Sequence, residues 1–132
     1  MRTEAVLDTS ALVARALGES GADKVEAWLE RGGCVMHIVN VSEACFTLSR
    51  KRPDLFNRHS ARGWLLGRGI NFVFGFDSFL ADQVAEIRLG NMALNIGDGV
   101  AVALAGVLGV PLLVADRGFR KSAAHAALEI VL

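Results

Sequence analysis

Four acidic residues stand at the ends of apolar runs: Asp8 in Val6-Leu7-Asp8-Thr9-Ser10, Glu43 in Val41-Ser42-Glu43-Ala44, Asp98 in Ile96-Gly97-Asp98-Gly99-Val100, and Asp116 in Leu113-Val114-Ala115-Asp116-Arg117. An isolated buried charge is costly, so acids at such borders are usually paired or hold a metal. Gathered in one place, four carboxylates make an oxygen-rich pocket suited to Mg²⁺ or Mn²⁺. Cations there relieve the mutual repulsion of the acids. They can also activate and orient a water for attack on a phosphodiester. Asp8 is the expected anchor of the main metal, with Asp98 and Asp116 completing its shell. Glu43 would position water or a second ion. Each acid also has an ordinary explanation as a helix cap, a first-turn acid or a turn residue.

The elements that would position these acids alternate along the chain. Strand-like runs at 4–7, 34–39, 70–74, 112–115 and 127–132 are separated by helical periodicity at 11–17, 22–30, 40–50, 56–66, 77–89 and 98–108. Thr9 or Ser10, Asn40 or Ser42, and Asp77 or Ser78 are candidate helix caps. Alternation of this kind implies a mostly parallel five-stranded sheet in a three-layer α/β/α sandwich. Right-handed crossovers then bring every strand C-terminus to one edge, where ligands bind near the reversal of strand order. Asp8 and Asp116 follow strand ends, and Glu43 and Asp98 are expected in the first turns of helices.

Length and composition bound the rest. A chain of 132 residues, 52% hydrophobic, suits one compact domain over residues 1–132. The apolar stretch 100–115 is broken by Gly106, Gly109 and Pro111, so no membrane span is expected, and the N-terminus does not read as a signal peptide. Cys34 and Cys45 lack metal-ligand spacing and read as reduced thiols of a cytoplasmic protein. The formal net charge is zero, but apart from the four acids the chain carries 14 basic against ten acidic residues. Arg50-Lys51-Arg52, Arg58/Arg62/Arg68 and Arg117/Arg120/Lys121 form the clusters. A solvated helix face is the bland reading; a basic rim for phosphate backbone beside an acidic centre is the functional one. Arg50, Arg117, Arg120 and Lys121 are the candidates for holding such a nucleic-acid backbone. His37, His59 and His125 are scattered and read as plain core or surface histidines.

The segments Val6-Leu7-Asp8-Thr9-Ser10-Ala11-Leu12, Val39-Asn40-Val41-Ser42-Glu43, and Gly97-Asp98-Gly99-Val100-Ala101-Val102-Ala103-Leu104-Ala105 with Ala115-Asp116-Arg117 resemble, in order and spacing, a PIN domain. They look most like the VapC toxins of bacterial toxin–antitoxin pairs. The resemblance implies a Mg²⁺- or Mn²⁺-dependent ribonuclease leaving 5′-phosphate and 3′-hydroxyl ends, a homodimer, and a cognate VapB-like antitoxin that blocks the site. It matches the family's four acids to Asp8, Glu43, Asp98 and Asp116, and its hydroxyl to Ser10, with Thr9 beside it. Val114 stands where many relatives have Thr, and Gly99 replaces a commonly polar residue, so contacts near the metals and substrate are expected to differ there. Two other acid-bearing parallel-sheet classes fit less well. A phospho-accepting receiver domain wants adjacent acids after the first strand, and a haloacid-dehalogenase-type phosphatase wants an aspartate where Ser10 stands. A PIN-like domain that binds RNA or a protein without cutting is the remaining alternative. Trp28, Leu48, Phe56 and Trp64 are core candidates singly and, as a set, candidates for an antitoxin groove.

Overall fold

The computed structural model describes residues 2–132; Met1 and the side chain of Arg58 lie outside the described residues. The chain runs β1 (Ala5–Leu7), α1 (Thr9–Leu17), α2 (Ala22–Arg31), β2 (Cys34–His37), α3 (Ile38–Lys51), α4 (Arg58–Gly67), β3 (Asn71–Val73), α5 (Ser78–Gly90), α6 (Ile96–Leu108), β4 (Leu112–Val114), a 3₁₀ turn (Arg117–Ser122) and β5 (Leu128–Ile130). The strands form one sheet in the order β3-β2-β1-β4-β5, and every pairing is parallel.

Alternate strand residues build two cores. Ala5 and Leu7, Cys34 and Met36, and Leu113 face one side. There they meet Ala11 and Leu12 of α1, Val25 and Leu29 of α2, Val41 and Ala44 of α3, and Leu65 of α4. Val6, Val35, Leu112 and Val114 face the other side and meet α5 and the apolar α6. The connections β1→β2→β3 step outward one way, whereas β3→β4 returns past β1. Right-handed crossovers in opposite directions place their helices on opposite faces, which yields the three layers. The order reverses between β1 and β4, so their C-terminal ends diverge into a crevice. Among the described residues no helix is long and apolar enough to cross a membrane.

Several element boundaries differ from the sequence expectation, and they matter for the site. Asp8 itself caps α1, accepting from the Ser10 backbone N–H, so that helix begins at Thr9 and neither Thr9 nor Ser10 is the cap. β2 stops at His37, whose Nδ1 accepts from the Val39 N–H and caps α3. Its Nε2–H donates to the Gly75 carbonyl at 2.7 Å. Starting α3 at Ile38 moves Glu43 from the expected first turn to the second. Asn95 caps α6 through a reciprocal box with Asp98: its Oδ1 accepts from the Asp98 N–H, and Asp98 Oδ2 accepts from the Asn95 N–H. The expected caps at Asn40 and Ser42 are displaced because the short strand hands over to helix earlier than its apolar run ends.

The aromatic set does not form one groove. Leu48 is fully buried with Val13 and Ala61. Trp28 packs on the α1–α4 core, with the Arg31 guanidinium 4.0 Å from its ring centroid. Phe56 meets Trp64 edge-on. A cavity of about 830 Å³ does open between α3 and α4, lined by Cys45, Phe46, Arg50, Pro53 and Phe56 among others. Phe46, 67% exposed, is its main apolar wall. Burial raises the pKa of both thiols, to about 11 for Cys34, which suits inert structural cysteines.

Candidate active site

The crevice above β1 and β4 holds a cavity of about 370 Å³, and all four acids line it, together with Thr9 and Ser10. Asp8 sits at its floor and is only 1% exposed. Its Oδ2 accepts from the Ser10 N–H at 3.0 Å and the Ser10 Oγ–H at 2.7 Å. Ser10 Oγ in turn accepts from the Ala115 N–H at 3.0 Å, which ties the ends of β1 and β4 across the crevice. Asp8 Oδ1 is buried with no hydrogen-bond partner. Burial pushes the Asp8 pKa up to about 7; the Ser10 bonds pull it down, and the charges of Asp98 and Glu43 push it further up.

The other three acids come from three different elements. Glu43 Oε1 accepts from Asn40 Nδ2 at 3.4 Å, and the same amide donates to the Gly97 carbonyl at 2.9 Å. Asn40 is fully buried, and Thr9 Oγ–H donates to its backbone carbonyl, so one side chain joins α3 to α6 beside the acids. A Cβ at Gly97 would overlap Glu43 Oε1, so a side chain there would push the Glu43 carboxylate aside. Burial raises the Glu43 pKa; the Asp98 charge adds to this and the Asn40 bond opposes it. Asp98 is also raised, by burial first, against the Asn95 N–H bond, with the Asp116 charge adding and Arg88 opposing. Asp116 is exposed and opens the 3₁₀ turn, its Oδ1 accepting from the Gly118 N–H at 2.8 Å.

The acids therefore feel one another's charge and share a pocket. Among the described residues, no group of three His, Cys, Asp or Glu is arranged to hold a metal ion as it stands. Asp98 and Asp116 each commit one oxygen to a backbone N–H, leaving the other available. The orphaned Asp8 Oδ1, in a pocket of hard oxygen donors, fits a divalent cation.

The basic candidates fall elsewhere. Arg50 lines the α3–α4 groove and stacks 5.8 Å from the Phe46 ring centroid. Arg117, Arg120 and Lys121 are exposed on the 3₁₀ turn, and none of them lines the acidic cavity. Arg52 pairs with Asp54 at 2.7 Å. Gly99 does not face the cavity: a Cβ there would press on Val84 and Arg88 of α5, so its size serves helix packing. Val114 points into the α5/α6 core, away from the acids. Glu19, a further acid of the cavity lining, was not singled out in the sequence, and two other residues of the site, Asn40 beside the pocket and Lys51 in its lining, gave little sign there. Asn40 reads there as a possible cap, and Lys51 as one member of a basic run; the i, i+4, i+8 spacing of Glu43, Thr47 and Lys51 is the signal that puts Lys51 on the acidic side.

An all-parallel sheet thus carries four acids in one pocket at the point where its strand order reverses. The PIN domain family matches the chain over residues 5–124, and the chain belongs to that family. Solved structures share the fold. A toxin–antitoxin complex from Klebsiella pneumoniae aligns with a TM-score of 0.74 at 16% identity, covering 98% of both chains. VapBC2 from Rickettsia felis, bound to a promoter DNA fragment, aligns at 0.69 with 15% identity, covering 96% of this chain and 98% of that one. FitAcB from Neisseria gonorrhoeae aligns at 0.61 with 20% identity, covering 95% of this chain and 96% of that one. At these identities the likeness is one of fold. No curated protein matches the chain in sequence.

Proposed function

We propose that this protein is a Mg²⁺- or Mn²⁺-dependent ribonuclease, the VapC-type toxin of a toxin–antitoxin pair. The observation that carries the reading is Asp8: a nearly inaccessible carboxylate with one unpartnered oxygen, facing Glu43 and Asp98 in a cavity open to solvent. A buried acid left half-satisfied among other acids is costly to the fold, and a cation removes that cost.

Asp8 would be the anchor, with Asp98 and Asp116 offering their free oxygens. Glu43, held by Asn40, would orient an attacking water and accept its proton. Ser10 fixes the Asp8 carboxylate and Thr9 fixes the Asn40 backbone; neither need touch substrate. The bound cation supplies the positive charge that makes water a nucleophile at neutral pH and offsets charge on the phosphate oxygens. The chain's own part is to hold the acids within one crevice and to keep the fold closed beneath them.

The α3–α4 groove supports an antitoxin partner. It is apolar, shares α3 as a wall with the acidic cavity, and can accept one face of an amphipathic segment at Phe46 and Phe56. An antitoxin Arg or Lys reaching the acids would stand in for the cation and silence the site. Exposed Phe74, Phe76 and Phe79 offer apolar surface for a homodimer.

The test is cleavage of single-stranded RNA by purified protein in Mn²⁺ and in EDTA. Wild type should cut only with the metal and leave 5′-phosphates. Asp8→Asn and Asp116→Asn should each lose at least about a hundredfold, the upper end of what losing a group behind a metal ligand costs. RNA bound but never cut by wild type, in either metal, would favour a non-catalytic RNA-binding PIN domain instead.

A further inference from the structure

The run Arg50-Lys51-Arg52 looks like one basic patch in the sequence, but the structure sends its three side chains three ways. Arg50 enters the apolar groove, Arg52 pairs with Asp54, and Lys51 alone lines the acidic cavity. Among the described residues it is the one cation of that lining and forms no ion pair. Glu43, Thr47 and Lys51 fall on one stripe of α3, all facing the cavity. Eight residues of helix separate Lys51 from Glu43 by about 12 Å along the axis. Lys51 therefore does not reach the acids that would hold the scissile phosphate. It stands where the next part of the same strand must pass if RNA lies along α3.

We infer that Lys51 is a strand-positioning residue: it grips a flanking phosphate of single-stranded RNA, with Thr47 beneath the strand, and so sets the path of the substrate across α3. This rests on the ribonuclease reading above. The physical need is plain, since an acidic cavity repels a polyanion. Near the acids the cation cancels that repulsion, but one helical turn or two away only a fixed positive charge can do so. An ammonium on a flexible stem suits a backbone phosphate and reads no base.

The experiment compares Lys51→Gln, Lys51→Arg and Arg31→Gln. Arg31 stacks on Trp28 at the opposite edge of the sheet and serves as a charge-matched control. Binding of a labelled single-stranded oligoribonucleotide is followed by anisotropy across a salt series in the Asp8→Asn background, and cleavage kinetics in the Asp8 background. Lys51→Gln should flatten the log–log salt dependence by about 0.7 and weaken binding about threefold to tenfold at low salt. It should raise KM and leave kcat near wild type. Lys51→Arg should restore both, and Arg31→Gln should change neither. An unaltered slope and KM in Lys51→Gln, with RNA still cut normally, overturns the role of Lys51 and leaves the ribonuclease reading standing. Equal losses in Lys51→Gln and Arg31→Gln also overturn it, because diffuse net charge would then explain the effect. Wild type that neither binds nor cuts RNA removes the ribonuclease reading and this inference together.

Discussion

Asp8 makes the metal-free protein less stable as pH rises. Its carboxyl ionises near 3.8 when unfolded and holds its proton to about 7 when folded. Between those values the folded state binds more protons than the unfolded state, so unfolding stability falls with increasing pH. Above pH 7 the full cost is about 4 kcal/mol, and roughly 2–3 kcal/mol of it is incurred between pH 5 and 8. For a chain of this size that is a drop in Tm of roughly 10 °C. The raised values of Glu43 and Asp98 act in the same direction. The assay is thermal melting in EDTA from pH 5 to 8, repeated in Mn²⁺. Cations bind the ionised acids, so Mn²⁺ should lift Tm more at pH 8 than at pH 5; a hundredfold excess over Kd adds about 2.7 kcal/mol to the unfolding free energy. Asp8→Asn removes the titrating group and should flatten the EDTA curve, even though its amide NH₂ inherits a site without a partner. A wild-type EDTA curve that is level or rising over this range would refute the claim that a desolvated, ionisable Asp8 lies at the floor of the pocket. An undiminished slope in Asp8→Asn would refute it equally.

Three further outcomes follow from the same geometry. Gly97→Ala should cut RNA cleavage at least about tenfold while shifting stability by no more than about 1 kcal/mol, because its Cβ displaces the Glu43 carboxylate without removing a charge; wild-type kcat with Mn²⁺ would show that Glu43 is not needed where it stands. Ser10→Ala strips the Ala115 N–H of its acceptor and should cost about 1–3 kcal/mol in urea unfolding; a neutral result would mean that water replaces the hydroxyl. Phe46→Glu should abolish antitoxin binding in a pull-down and spare RNA cleavage, since Phe46 lines the α3–α4 groove and not the acidic cavity; retained binding would move the docking surface elsewhere.

Much of this was legible in the sequence for a physical reason. Strand and helix periods, and acids placed at the ends of apolar runs, are local signals, and a parallel sheet turns those ends into one edge. That is why Asp8, Glu43, Asp98 and Asp116 could be named together. Local signals did not decide which residue caps a helix or which way a side chain turns. Asp8 took the cap from Thr9 because a carboxylate at the strand end meets the Ser10 N–H directly. Glu43 moved to the second turn of α3 because His37, buried and bonded to Gly75, started the helix early. Arg50 and Lys51 were sent to different surfaces by the helical rotation of about 100° per residue, set by which stripe of α3 packs against α1 and α6, while Arg52 lies past the helix end and pairs with Asp54 of the next turn. Composition and spacing determined that this chain carries an acidic centre in a parallel α/β fold. Only the tertiary contacts decided that Asn40 links Glu43 to Gly97, that Ser10 bridges β1 to β4, and that among the described basic residues Lys51 alone lines the acidic cavity, because each depends on elements distant in sequence that packing brings side by side.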